Sequence, residues 1–189
     1  MSRIPGEQEA SRPQLGKTSA SFYSPHPRYA IVDLVIRPAT AADEDVIVRS
    51  NAALAWESEA KKLDEPTLRA GVRAVLADPH KGFYTVAETG GAVVGQILIT
   101  FEYSDWRHGW YWWIQSVYVD ATARRHGVFR ALFEHLKAKA TADTTVIGLR
   151  LYMEDDNDRA RKTYLGVGMA AEPYRLFGLY PLPGRGKAY

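Results

Sequence analysis

Apolar residues recur with two different periods along the chain, and the change of period divides it into predicted strands and helices. Alternation at every second residue, or a short apolar run between turn residues, predicts strands over 30–37, 83–88, 92–103, 110–119, 145–152 and 169–180. Spacing of three and four predicts helices that begin after Thr40, near Pro66, before Phe129 and at Asp158. The predicted order of elements is β-α-α-β-β-β-α-β-α-β.

Local signals support several of these boundaries. Thr40 followed by Asp43 has the form of a capping box, and the first helix is predicted to end near Glu57. The stretch Thr89-Gly90-Gly91 suits a hairpin turn between two strands. Because helices flank a run of consecutive strands, the predicted fold class is α/β, with a mixed, mostly antiparallel central sheet and helices on both faces.

The chain is predicted to hold a single domain between two tails. Residues 1–29 contain four prolines and five serines without a periodic apolar pattern, which is typical of a flexible N-terminal tail. The regular pattern begins near residue 30 and ends near 182, so the domain is placed at 30–182 and a C-terminal tail at 183–189.

Composition excludes several classes of function. The chain has 189 residues, 46% of them hydrophobic, and a net charge of +2, which does not favour a nucleic-acid partner. It has no cysteine, so disulfides, thiolate metal sites and a cysteine nucleophile are excluded, and no metal site is predicted. No membrane span or signal peptide is recognisable, which makes a cytoplasmic location the expectation.

The segment VYVDATARRHGVFRAL, residues 117–132, is the most informative part of the sequence. An apolar strand leads through a short basic loop with one glycine into an amphipathic helix. The N-terminus of a helix carries unpaired N–H groups and the positive end of the helix dipole, which together attract phosphate. The residues therefore indicate either an anion site or an ordinary loop with solvated arginines.

This loop resembles the acyl-CoA loop of GNAT acetyltransferases, written [RQ]-x-x-G-x-[GA]. Arg124 and Gly127 fill the first two fixed places, while Phe129 occupies the third, where Gly or Ala is usual. Downstream, LRLYMEDDNDRARKTYLGVGM resembles a second block of the same family, here with Asn157, Tyr164 and Gly166. The two blocks lie in the usual order, and the predicted element order agrees with that family.

The resemblance implies acetyl-CoA as cosubstrate and assigns roles by position. The central strand would splay from its neighbour, and its backbone would bind the pantetheine arm and the acetyl carbonyl. Asn157 would hydrogen-bond the pantetheine, and Tyr164 would protonate the departing thiolate. The implied cofactor-binding residues are Val117, Tyr118, Val119, Arg124, Arg125, His126, Gly127, Val128, Phe129, Arg130 and Asn157, with the stretch Arg125 to Arg130 around the pyrophosphate.

Each role has a simpler alternative. Asn157 stands where a helix N-cap belongs, and Tyr164 has the position of a core aromatic residue. No general base can be identified, because the central strand carries Gln115 where similar enzymes often have a carboxylate. The candidates left open for this base are Glu102, Asp105, Glu57, His108 and a water molecule ordered by Gln115 and Ser116.

The predicted function is transfer of the acetyl group of acetyl-CoA directly to an amine, since no cysteine is available for a covalent intermediate. Tryptophan and tyrosine residues over 106–113 and the acidic residues Glu57, Glu59, Glu102 and Asp105 favour a small amine, a polyamine or an amino-acid derivative as acceptor. The alternatives are a non-catalytic acyl-CoA sensor of the same fold and, less favoured, a nucleotide-binding module. A homodimer is one option for its assembly.

Overall fold

The computed structural model describes residues 33–183, so the predicted N-terminal tail and most of the predicted C-terminal tail lie outside the described residues. Within this range the chain forms four α-helices and five strands. They are β1 (Val35–Pro38), α1 (Glu44–Glu59), α2 (Glu65–Ala77), β2 (Phe83–Thr89), β3 (Ala92–Ser104), β4 (Gly109–Val119), α3 (Val128–Ala142), β5 (Val146–Arg150) and α4 (Asp158–Leu165).

The strands form one mixed sheet in the order β1-β2-β3-β4-β5. The first three pairs are antiparallel, and β4 pairs with β5 in parallel. Thr89 pairs with Ala92, so Gly90 and Gly91 form the turn of the β2–β3 hairpin, with φ of 55° and 74°. Two consecutive positive φ values are what a tight hairpin turn requires, and glycine adopts them without strain. The predicted mixed, mostly antiparallel sheet is confirmed.

Helices cover both faces of the sheet, as predicted. Residues of α1 and α2, including Ile47 and Val72, pack against one face. Residues of α3, including Leu132 and Leu136, pack against the other face. Gly95 on β3 permits this close approach, because a Cβ atom there would lie 2.9 Å from Cγ1 of Val128.

The start of the domain is held by a charged cluster. Nη1 and Nη2 of Arg37 each donate to the carboxylate of Asp43 at 2.8 Å, and Nε of the same arginine donates to Glu88. The backbone N–H of Thr40 also donates to Asp43, at 2.7 Å, which confirms the predicted capping interaction. The first predicted strand begins at Val35 within the described residues, because Asp33, with φ of 56°, lies in the left-handed region; residues 30–32 lie outside the described range.

Asp43 makes stability depend on pH in the acid range. Hydrogen bonds from Arg37 lower the pKa of its nearly buried carboxyl from 3.8 to about 2. This carboxylate therefore stabilises the fold fully above pH ~4, and the stabilisation is lost as the pH falls through the folded-state pKa. We expect the free energy of unfolding, measured with urea, to fall between pH 7 and pH 2. This fall should be about 2 kcal/mol smaller in Asp43→Asn than in the wild type. The exposed control Asp105→Asn should lose as much stability between pH 7 and pH 2 as the wild type. An equally large loss in Asp43→Asn would contradict this assignment.

The predicted final strand over Met169–Tyr180 is wrong. The described chain from 170 to 183 contains no strand and pairs with no edge of the sheet. Its large side chains are turned to solvent; Phe177, for example, is 90% exposed. The aromatic and aliphatic composition favoured a strand, but a strand needs a partner edge, and Pro173 and Pro181 cannot donate backbone hydrogen bonds.

Candidate active site

A wedge lies between β4 and the edge strand β5, where their ladder ends. Their parallel ladder runs from Trp110 paired with Val146 to Trp113 paired with Arg150, and β4 then continues to Val119 alongside β3. The register between β3 and β4 shifts at the same place, since Ile99 pairs with Ile114 whereas Leu98 pairs with Ser116. Gln115 is thus the extra residue of a β-bulge, which bends the strand where the ladder ends.

The loop after β4 presents an anion-binding helix terminus. Gly127, with φ of 81°, precedes α3, and Arg125 also has a positive φ, of 69°. Ala131 makes the first helical hydrogen bond, to the carbonyl of Gly127. The N–H groups of the three residues between them therefore remain for a ligand. Arg125, His126 and Arg130 are exposed around this terminus, and the charges of the two arginines add to the positive end of the helix dipole.

Tyr164 on α4 lies against the first turn of α3. Its ring meets the ring of Phe129 edge to face, with centroids 5.8 Å apart, and Phe129 also contacts Phe133 at 6.0 Å. Burial raises the pKa of the Tyr164 phenol above its ordinary value of 10. No residue of the described chain hydrogen-bonds its hydroxyl, so the group is a protonated donor at neutral pH.

The model of the Acetyltransferase (GNAT) family matches residues 48–169, more than half of the chain, and this range contains the wedge, the basic loop and Tyr164. The chain belongs to the GNAT family. Among curated proteins, no relative matches it.

Solved structures agree with this assignment. A possible acetyltransferase from Clostridium difficile 630 is 42% identical, with a TM-score of 0.75, over 79% of this chain and 98% of that one. A ribosomal-protein-alanine N-acetyltransferase from Brucella melitensis biovar Abortus 2308 shares the fold at 18% identity and a TM-score of 0.62, covering 77% of this chain and 98% of that one. The aminoglycoside N-acetyltransferase AAC(6')-Iy in complex with CoA shares it at 13% identity and a TM-score of 0.66, covering 85% and 100%.

Two residues of the GNAT motifs have clear structural roles here. Oδ1 of Asn157 accepts a hydrogen bond from the N–H of Ala160 at 2.9 Å and so caps α4, which leaves its exposed amide nitrogen for a ligand. Phe129, in the place usually held by glycine or alanine, fills the space between α3 and α4. The departure from the family pattern is therefore accommodated by packing against Tyr164.

Arg124, predicted to bind the cofactor, is engaged by the protein itself. Its Nε donates to the carbonyl of Val119 at 2.8 Å, and its Nη2 lies 2.6 Å from Oε2 of Glu57. The hydroxyl of Tyr118 donates to the other oxygen of Glu57 at 2.9 Å. This arginine consequently ties the end of β4 and the loop to α1, and it acts on the anion site by holding the loop. Val128 is buried in the core, so only its backbone can face a ligand.

The positions and contacts of the candidate general bases reduce their number. Asp105 and His108 lie in the β3–β4 turn, and His108 Nδ1 is 2.7 Å from the hydroxyl of Tyr103. Gln115 lies seven positions along the strand from His108, a span of roughly 23 Å, so neither turn residue reaches the wedge. Glu57 is paired with Arg124, and Glu102 accepts hydrogen bonds from Trp113 and Arg150. Ser116 Oγ, in contrast, is buried without a partner among the described residues.

A groove of about 370 Å³ opens at the mouth of the wedge. Gln115 Nε2 donates to the hydroxyl of Tyr152 at 2.6 Å, so the extra residue of the bulge is joined to the chain that follows β5. The groove is lined by Thr100, Phe101, Glu102, Trp113, Gln115, Tyr152 and Leu176.

Arg150 and Tyr152 are two residues at the wedge that the sequence patterns did not indicate. The guanidinium of Arg150 contacts Glu102 at 2.9 Å and Glu172 at 3.2 Å and lies 3.6 Å from the centre of the Tyr111 ring. A charged residue between Leu149 and Leu151 at the end of an apolar strand was the available signal. The described residues contain no group of three or more metal-ligating side chains, and none of their helices has the length and apolar character of a membrane span.

Proposed function

We propose that this GNAT protein is an acetyl-CoA-dependent N-acetyltransferase that transfers the acetyl group directly to a primary amine. The observation that carries the proposal is the ending of the β4–β5 ladder at Trp113 and Arg150, after which β4 runs on to Val119 and leads into the loop before the exposed α3 N-terminus. A strand that leaves its neighbour offers main-chain N–H and C=O groups to an extended ligand. A helix N-terminus with arginines on its rim suits a pyrophosphate. A solved structure of similar fold is a complex with CoA.

In this proposal, different groups of residues bind different parts of acetyl-CoA. The backbone of Val117, Tyr118 and Val119 binds the pantetheine arm and the acetyl carbonyl, and an N–H aimed at that carbonyl stabilises the oxyanion of the tetrahedral intermediate. The segment 125–130 holds the pyrophosphate, while the amide nitrogen of Asn157 adds a hydrogen bond to the pantetheine.

The chemical step needs one proton donor and one proton acceptor. The amine nitrogen forms a bond to the acetyl carbon, the carbon–sulfur bond breaks, and the sulfur takes the proton of the Tyr164 hydroxyl. The amine gives up its proton to water held by Gln115 and by the unpartnered hydroxyl of Ser116. This route is favoured because Glu57 and Glu102 are both engaged in ion pairs. Since the chain has no cysteine, transfer proceeds without a covalent thioester on the enzyme.

A second function is a sensor of the same fold that binds acyl-CoA without turnover. Two observations favour it: Phe129 in the place of a small residue, and the engagement of both nearby carboxylates. The two functions share the binding site and differ only in chemistry.

The test combines binding with turnover. We expect acetyl-CoA to raise the melting temperature by several degrees at concentrations well above its Kd, whereas ATP and NAD give no shift. We also expect free CoA thiol to appear only when an amine is added, with 2-phenylethylamine, spermidine and kanamycin as the first probes. Binding without amine-dependent thiol release would establish the sensor. A shift with ATP or NAD and none with acetyl-CoA would reject both functions.

A further inference from the structure

We infer that the groove beside Gln115 is an acceptor site selective for a primary amine attached to a flat, apolar body, and against polyhydroxylated polycations. The inference rests on the proposed function and names the acceptor class of that same site. Three observations support the inference: the lining of the groove, the charges at the polar end of the groove, and the position of the groove at the mouth of the wedge.

The walls of the groove are aromatic and aliphatic. The rings of Trp113 and Tyr152 lie with their centroids 5.7 Å apart, tilted by 49°. Phe101 and Leu176 complete the apolar lining. An aromatic pair held at this separation and tilt offers faces on which a planar group can stack, and stacking of this kind stabilises a complex beyond the area it buries.

The polar end of the groove is acidic toward solvent. Glu102, which lines the groove, has 44% of its side chain exposed. Arg150, its ion-pair partner, has 18% exposed, and Glu172 on the other side of that arginine has 50%. The guanidinium is covered because it lies over the ring of Tyr111, 3.6 Å from its centre. A ligand entering from solvent therefore meets carboxylates before it meets the arginine, which favours an ammonium group.

The hydroxyl of Tyr152 is placed to orient the amine. It accepts a hydrogen bond from Gln115 at 2.6 Å, so it retains one lone pair and its own proton for a ligand. Gln115 is the bulge residue at which β4 leaves β5, and the contact therefore spans the mouth of the wedge. An amine held by this hydroxyl faces the place where the thioester is proposed to lie.

The same lining disfavours a sugar polyamine. The polar side chains that line the groove are those of Thr100, Glu102, Gln115 and Tyr152, and three of them are already engaged with neighbours. The groove is open to solvent, with Tyr152 50% and Leu176 76% exposed, so a polyol keeps its water contacts and gains little from these walls. A planar apolar body, in contrast, buries ring area against them.

The experiment is a comparison of acceptors under saturating acetyl-CoA. We expect kcat/KM for 2-phenylethylamine and tryptamine to exceed the values for spermidine and kanamycin at least tenfold. Trp113→Leu should raise KM for 2-phenylethylamine about tenfold and leave the Kd for acetyl-CoA unchanged. The matched control is Trp106→Leu, because Trp106 is 89% exposed in the distant β3–β4 turn, and it should behave as wild type.

Glu102→Gln is a second variant, which keeps the proposal testable if Trp113→Leu does not fold. It keeps the shape of the side chain and removes only its charge. It is expected to raise KM for the amine severalfold, again without changing the Kd for acetyl-CoA. Preference for spermidine or kanamycin, or equal KM in both variants and wild type, overturns the acceptor class while the proposed function stands. Failure of every amine together with failure to bind acetyl-CoA rejects the proposed function and the acceptor class with it.

Discussion

Tyr164→Phe is expected to slow acetyl transfer about 100-fold while the fold and the affinity for acetyl-CoA stay nearly unchanged. The substitution removes only the hydroxyl, and the ring keeps its contact with Phe129. Burial raises the pKa of this phenol, so wild-type enzyme holds the acidic proton at neutral pH and loses it as the pH rises through that pKa. The variant should therefore lack the basic limb of the pH–rate profile.

Single-turnover kinetics is the appropriate measurement, because product release can limit kcat and hide the chemical step. Tyr103→Phe provides the matched control, since it removes a hydroxyl that contacts His108 in the distant turn. A Tyr164→Phe enzyme with the wild-type single-turnover rate would show that this tyrosine only packs against α3 and that water protonates the thiolate.

Gly127→Asp is expected to weaken acetyl-CoA binding at least tenfold, or about 1.4 kcal/mol. The residue has φ of 81° at the N-terminus of α3, and an acidic side chain there adds bulk and negative charge where phosphate oxygens are proposed to bind. Backbone strain is a separate effect of the same change, because a non-glycine residue is disfavoured at positive φ.

Two controls separate charge from strain. Gly91→Asp introduces the same side chain at φ of 74°, with open space around it, in the β2–β3 turn. Gly127→Asn keeps the size of aspartate without its charge, and asparagine tolerates the left-handed region. Calorimetric titration should show wild-type affinity for Gly91→Asp and an intermediate loss for Gly127→Asn. Equal affinities of Gly127→Asp and the wild type would exclude this loop as the phosphate site.

The sequence predicted well those parts of the fold that depend on residues close together in the chain. The bounds of α4, Asp158–Leu165, follow from Asn157 as a cap and from the spacing of its residues. The hairpin at Gly90 and Gly91 follows from turn chemistry. The resemblance implied that β4 leaves its neighbour near Val117 to Val119, and the β4–β5 ladder ends earlier, at Trp113 and Arg150.

What sequence could not supply depends on contacts between distant residues. The pairing of Arg124 with Glu57 joins a loop to a helix 67 positions away, and no local pattern reveals it. The Arg150 contacts with Glu102 and Glu172 likewise link three separate parts of the chain. The mistaken strand near the C-terminus has the same origin, because composition predicts an extended segment but cannot supply the edge with which it would pair.

Amide hydrogen exchange with and without acetyl-CoA locates the cosubstrate on the chain. We expect slower exchange in Ile114–Val119 of β4, in the loop 124–127 and in the first turn of α3, with little change in β1 and β2. Protection of this pattern would place the cosubstrate in the wedge between β4 and β5. Binding accompanied by protection elsewhere, with exchange in β4 and at the start of α3 unaltered, would rule out a cosubstrate site between β4 and β5.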